Sequence, residues 1–179
     1  MDQIEAHQRA QDVFAQVLAK VGPEQLGAQS PCAEWDARAV IDHVVAGNQL
    51  VQQRAGQEPG ALPQDLAAAH AASAKAAQEI FAAPDGLTRT FELPFGAYSG
   101  AWFIGIRTTD VITHAWDLAK ATGQSTDLDP DLALFAIAAT KERITPAFRG
   151  EGRPFGEEQP CPEGRCAADE LAALLGRPV

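Results

Sequence analysis

Apolar residues recur at intervals of three and four along most of this chain, and strand-like alternation is confined to one short run. A chain patterned this way folds chiefly as packed helices. The first apolar stripe, Ile4, Ala10, Phe14, Val17, Leu18 and Val21, ends at Gly22-Pro23, where the proline ring and its missing N–H stop a helix. The second opens on Asp36, whose short carboxylate can cap the free N–H groups of a first turn, and carries Val40, Ile41, Val44, Val45 and Val51 to about Arg54. A third covers the alanine-rich stretch from Ala67 to Ala83, where Leu66, Ala69, Ser73, Ala76 and Ile80 keep helical spacing. A fourth runs from about Gly100 to Thr122 and stops at Gly123. Asp129-Pro130, a capping residue before a proline at the first helical position, opens a fifth that ends by Pro146, and a short sixth spans about Ala167 to Leu175.

The run from Leu87 to Leu93 alternates as a strand would, yet no partner strand is evident, so it reads as part of an extended connector reaching Ser99. Pro146, Pro154, Pro160 and Pro162, with several glycines, make an irregular crossover of the stretch from Phe148 to Arg165. The expected fold is all-α: a helical bundle with short accessory helices and that C-terminal crossover, forming one domain over residues 1–179.

A formal net charge of −10, a pI near 4.7 and the lack of any lysine or arginine cluster exclude the footprint of a nucleic-acid binder. No apolar run approaches the roughly 20 residues of a bilayer span, and the start MDQIEAHQRAQDVF resembles no export signal. Three cysteines, an odd number at unhelpful spacings, suit a reducing compartment, so a cytoplasmic protein without a membrane partner is expected. Cys161 and Cys166 resemble half a zinc clip whose other half is missing, and read as a loop coincidence.

On the fourth helix Phe103, Arg107, Asp110, His114, Asp117 and Ala121 follow at spacings of four and three, which puts the polar members on one side. An acid and a histidine at i, i+4 can close on one ion from the same helix face, or make only a weak surface contact. His43, beside Val40, Gly47 and Leu50 on the second helix, is either a boundary residue or a further ligand. His7 and His70 have no acid or histidine at a useful spacing and read as surface residues. Trp35 and Trp116 read as core anchors, and Cys32, with nothing basic nearby in the chain, as a buried structural cysteine.

Two stretches carry a resemblance: Pro31-Cys32-Ala33-Glu34-Trp35-Asp36 followed by Asp42-His43-Val44-Val45, and Asp110-Val111-Ile112-Thr113-His114-Ala115-Trp116-Asp117-Leu118-Ala119 followed by Ala121-Thr122-Gly123. Together with the ending from Leu171 to Arg177, they resemble the mycothiol-dependent maleylpyruvate isomerase N-terminal family of the DinB/YfiT-like superfamily, whose members are metal-binding four-helix bundles. The resemblance implies a divalent metal on His43, Asp110 and His114, zinc first, with nickel, iron or manganese able to accept the same ligands. This sequence has Asp110 where the characterised isomerase has a glutamate, a carboxylate one methylene shorter. That isomerase also places a catalytic arginine in a further α/β domain, for which this chain has no room, and this argues against maleylpyruvate isomerisation itself.

What the resemblance leaves is a metal-dependent thiol S-transferase or isomerase that uses a low-molecular-weight thiol such as mycothiol or bacillithiol on a small electrophile. Two imidazoles and one carboxylate leave a coordination position open, the layout of catalytic zinc sites. Asp117, one turn from His114, is either an acceptor for its imidazole N–H or a surface acid. Arg107 either recognises an anionic group of thiol or substrate or forms a salt bridge to Asp110. The competing expectation is a non-enzymatic bundle that binds a small ligand or dimerises, and either a monomer or a homodimer accords with the sequence.

Overall fold

The computed structural model describes residues 1–32, 35–94, 96–145, 148–150 and 155–179. Ala33 and Glu34 of the first motif, Phe95 of the connector, and Pro146 and Pro154 of the crossover lie outside the described residues. Six α-helices follow the order read from the sequence: α1 Gln3–Leu18, α2 Ala37–Arg54, α3 Leu66–Ala82, α4 Gly100–Ala121, α5 Pro130–Arg143 and α6 Ala167–Leu174. The starts of α1 to α5 are fixed by side-chain caps. The carboxylates of Asp2, Asp36, Asp65 and Asp129, and the hydroxyl of Ser99, each accept from a backbone N–H of the turn they open.

Helix α1 packs on α4 and α3, and α2 packs on α3 and α4, so these four close a ring of contacts; α5 and α6 pack on each other and on α4. The main apolar core lies between α1, α2 and α4 and continues to α5 and α6, with Phe14, Val40, Ile41, Val44, Ile112, Ala115 and Leu118 almost wholly buried. Burying side chains of this size contributes roughly 1.5–3 kcal/mol each.

The all-α expectation needs one correction. The connector folds as a hairpin, β1 Thr90–Leu93 paired antiparallel with β2 Gly96–Ser99 in the register Phe91 to Tyr98 and Leu93 to Gly96. Phe91 and Leu93 of β1 point inward and pack with Val51, Phe81 and Phe103 in a second apolar cluster. In the partner strand Gly-Ala-Tyr-Ser only Tyr98 is half-buried and the rest are exposed, so it left no alternation in the sequence to be read.

A second correction concerns His7 and His70, which are buried, not on the surface. His7 and Gln11 on α1 face Asn48 on α2 and His70, Ser73 and Gln78 on α3 through a hydrogen-bonded network inside the ring. His7 Nδ1 donates to Gln78 Oε1 at 2.5 Å and His70 Nε2 to Gln11 Oε1 at 2.9 Å, while Gln11 Nε2 donates to Asn48 Oδ1 at 2.8 Å. Polar groups that satisfy one another in this way can be buried without the usual penalty, which periodicity of apolar residues cannot register. Burial holds both imidazoles neutral, with pKa values lowered to about 4, and the Arg107 charge acts on His7 in the same direction.

In the crossover, Arg149 holds the described parts together by donating to the carbonyls of Gly156 at 3.1 Å and Leu174 at 2.7 Å. Among the described residues no helix is long and apolar enough to cross a membrane.

Candidate metal centre

The sequence order along α4 becomes a line of alternating charge. Arg107 Nη1 donates to Asp110 Oδ2 at 2.8 Å; Asp110 Oδ1 lies 3.6 Å from His114 Nε2; His114 Nδ1 donates to Asp117 Oδ2 at 2.9 Å. Helical spacing alone brings these four side chains into register. From α2, His43 places Nε2 3.2 Å from Asp110 Oδ1. Donor atoms of His43, Asp110 and His114 thus lie within 4.8 Å of one another. Trp35, at the end of the loop before α2, covers both imidazoles, stacked on His114 at 5.5 Å between ring centres and tilted against His43 at 4.6 Å.

Arg107 is buried and directs its charge at Asp110, with Nη2 reaching the Val44 carbonyl at 3.5 Å. Gly47 makes this geometry feasible, because a Cβ there would fall inside the guanidinium. Of the two readings of Arg107, the contact found is the salt bridge, and its side chain does not line the neighbouring cavity. Asp117 is wholly buried and accepts from His114, so it is no surface acid.

Three participants were not recognised in the sequence. Arg177 donates to Asp117 through Nη2 at 3.0 Å and Nε at 3.3 Å. It is aimed by the way α6 ends. Gly176 adopts φ +92°, its N–H reaches the Ala173 carbonyl, and the Arg177 N–H reaches Ala172, a pair of bonds that turns the chain back sharply. Gly176 also passes so close to Gly156 that a Cβ would lie 2.7 Å from its Cα. Cys32 places its sulfur 3.5 Å from Arg177 Nη2, which corrects the expectation of a cysteine with nothing basic beside it; with His114 and Asp117 it makes a second cluster of donors within 4.8 Å. Burial pushes its thiol pKa up, Arg177 pulls it down, and the two aspartates push it up again. Trp35 is half-buried and sits against the imidazoles as well as the core. Trp116 by contrast is a core anchor, its indole N–H donating to Asp169 Oδ1 at 2.7 Å. Cys161 and Cys166 join neither donor cluster.

Burial opposes the charge on Asp110, His114 and Asp117, and the neighbouring charges overcome it. Arg107 and His114 hold Asp110 well below the usual carboxylate range, and His114 and Arg177 lower Asp117. For His114 burial is outweighed by Asp110 and Asp117, which hold its pKa at about 9. Beside the donors opens a cavity of about 330 Å³, walled by Trp35, Trp102, Ile106, Ile144, Phe148 and Phe155, onto which Cys32, His43, Asp110, His114, Arg143 and Arg177 also face. Its size is near the lower end for small-molecule sites, and its walls are mostly apolar with a few convergent polar groups, as such sites commonly are.

A family model described as the mycothiol maleylpyruvate isomerase N-terminal domain matches residues 7–61, a stretch that contains His43 and ends before Asp110 and His114. Two uncharacterized proteins of Mycobacterium tuberculosis, from strains CDC 1551 and H37Rv, are each 57% identical to the chain over 181 residues, covering 100% of both partners in each comparison. No solved structure gives a significant match. The motifs around His43 and the family match over the same stretch agree, and residues 7–61 of the chain belong to the mycothiol maleylpyruvate isomerase N-terminal domain family.

Proposed function

We propose that this chain is a divalent-metal-dependent enzyme that uses a low-molecular-weight thiol of the mycothiol type, as a thiol S-transferase or isomerase acting on a small electrophile. Its scaffold is the DinB/YfiT-like four-helix bundle, formed by α1 to α4. The observation that carries this reading is the convergence of His43, Asp110 and His114 at the wall of an apolar cavity. The donor set fits a metal: two imidazoles and one carboxylate suit zinc, with nickel, iron or manganese as substitutes, and leave room for an exogenous ligand. A metal held there supplies Lewis acidity, which favours the thiolate form of a bound thiol at neutral pH.

The chain's own residues prepare the site. Asp117 fixes the ring of His114 through Nδ1 and leaves Nε2 directed towards Asp110. Arg107 keeps Asp110 ionised, and Arg177 does the same for Asp117. Trp35 limits the access of water to both imidazoles, while the apolar walls strengthen every charge interaction inside. Elemental analysis of untagged protein is expected to find a transition metal, and added zinc to raise the melting temperature. Protein that carries only traces of metal and gains no stability from zinc refutes the reading.

A second reading, a small-ligand-binding bundle without enzymatic activity, is favoured by the completeness of the ion-pair line, in which Asp110, His114 and Asp117 already find partners in the protein. His114→Ala separates the two. It abolishes metal uptake and thiol transfer under the first reading, and leaves ligand affinity unchanged under the second.

A further inference from the structure

Arg143, the last residue of α5, lines the same cavity, and among the described residues it forms no hydrogen bond or ion pair. Its guanidinium lies against Gly105 of α4, where a Cβ would come within 2.9 Å of Cζ. The other cations on the wall are already engaged, Arg177 by Asp117 and the metal-free, protonated His114 by Asp110 and Asp117, and Asp110 is engaged by Arg107 as well. Among the described residues the cavity therefore presents one half-buried guanidinium without a carboxylate partner, set beside aromatic and aliphatic walls that strengthen its attraction for an anion. We infer that Arg143 is the anion-recognising group of this cavity and that the electrophile is a small carboxylate with an apolar body.

The inference rests on the proposed enzyme reading and supplies its substrate class. A guanidinium presents paired N–H donors in the plane that a carboxylate accepts. Five residues of helix rise separate Gly105 from Asp110, about 7.5 Å along α4. A ligand whose carboxylate meets Arg143 can thus extend its apolar portion along Ile106 and present its far end to His43, Asp110 and His114. Gly105 gives the guanidinium its place, and α5 stops at Arg143 itself, with the Ile144 N–H bonded to Thr140 O.

The test is equilibrium binding of benzoate and of benzamide, its uncharged analogue, to metal-free protein, followed by tryptophan fluorescence or calorimetry. Benzoate is expected to bind more tightly than benzamide, with Arg143→Gln weakening benzoate at least about tenfold, leaving benzamide unchanged, and Arg143→Lys restoring part of the loss. Equal binding of the two compounds, or benzoate affinity unaffected by Arg143→Gln, overturns the assignment. N-acetylcysteine amide, an uncharged thiol, is then measured on zinc-loaded protein. Its affinity is unchanged by Arg143→Gln if the carboxylate belongs to the electrophile, and a loss overturns that. Zinc uptake, measured separately on both proteins, tests the metal reading alone, since the benzoate measurements need no metal.

Discussion

Lowering the pH from 7 to 5 should weaken the fold through two histidines that take no part in the candidate site. His7 and His70 are neutral in the folded chain with pKa values of about 4, against 6.5 when exposed. The geometry gives the reason: His7 Nε2 faces the Gln11 amide at 3.3 Å and acts as acceptor there, so a proton on it would set two donors against each other. The unfolded chain binds the protons that the folded chain refuses, so stability is full above pH 6.5 and falls as the pH drops towards 4. At pH 5 the loss is about 2 kcal/mol for each histidine, about 4 kcal/mol together. His114 of the metal-free protein works the other way. Its raised pKa gives a stabilisation that is complete below 6.5 and lost as pH rises through 9, which offsets about 1 kcal/mol between pH 7 and pH 5. Asp110 and Asp117, lowered from 3.8, lose their contribution only below this window. Urea unfolding at both pH values should therefore show a net fall of about 3 kcal/mol at unchanged slope. Replacing both histidines by glutamine should remove the fall. A stability that is flat across this range in the native sequence would show that the two imidazoles are not held neutral and that the buried network is misread.

Gly47→Ala pushes a methyl group into the Arg107 guanidinium and should cost about 1–3 kcal/mol in urea unfolding, whereas Gly27→Ala, with nothing within 4 Å of its Cβ, should stay within about 0.5 kcal/mol of the parent. Asp117→Asn leaves the buried Arg177 charge without its partner; a loss of about 3 kcal/mol is expected, together with zinc affinity reduced about 10- to 100-fold in a chelator competition assay.

The helices were legible because their caps are local. Asp36, Asp129-Pro130 and Gly123 act within a turn of themselves, and the starts and ends they mark fall within a few residues of those found. Asp110, His114 and Asp117 were legible for the same reason, since one helix fixes their spacing. What pairs them with His43, Cys32, Trp35 and Arg177 is tertiary: the sulfur of Cys32 and the guanidinium of Arg177 come from positions 145 apart in the chain. The only local trace of Arg177 was the glycine before it, a helix stop that gave no hint of where the following side chain would go. The hairpin and the buried histidines escaped for a related reason. Tyr98 and the second strand lack an apolar period, and His7, Gln11, Asn48 and His70 are inward-facing only because they satisfy one another across three helices.

The charge arrangement suits the proposed anionic partner even though the protein as a whole is acidic. Arg107, His114 in its protonated form and Arg177 face two carboxylates, Asp110 and Asp117, which leaves the line one positive charge in a chain whose formal net charge is −10. Exchange of the His114 proton for a divalent ion raises that local charge by one more, and Arg143 adds its own across the cavity. Low-dielectric walls of Trp35, Trp102, Phe148 and Phe155 reduce the screening of this field, which favours the proposed thiolate and carboxylate over their uncharged forms. The attraction is electrostatic and partly shielded from solvent. Benzoate binding should therefore weaken far less with added salt than an encounter with exposed lysines would, and a steep salt dependence would place the anion outside the cavity.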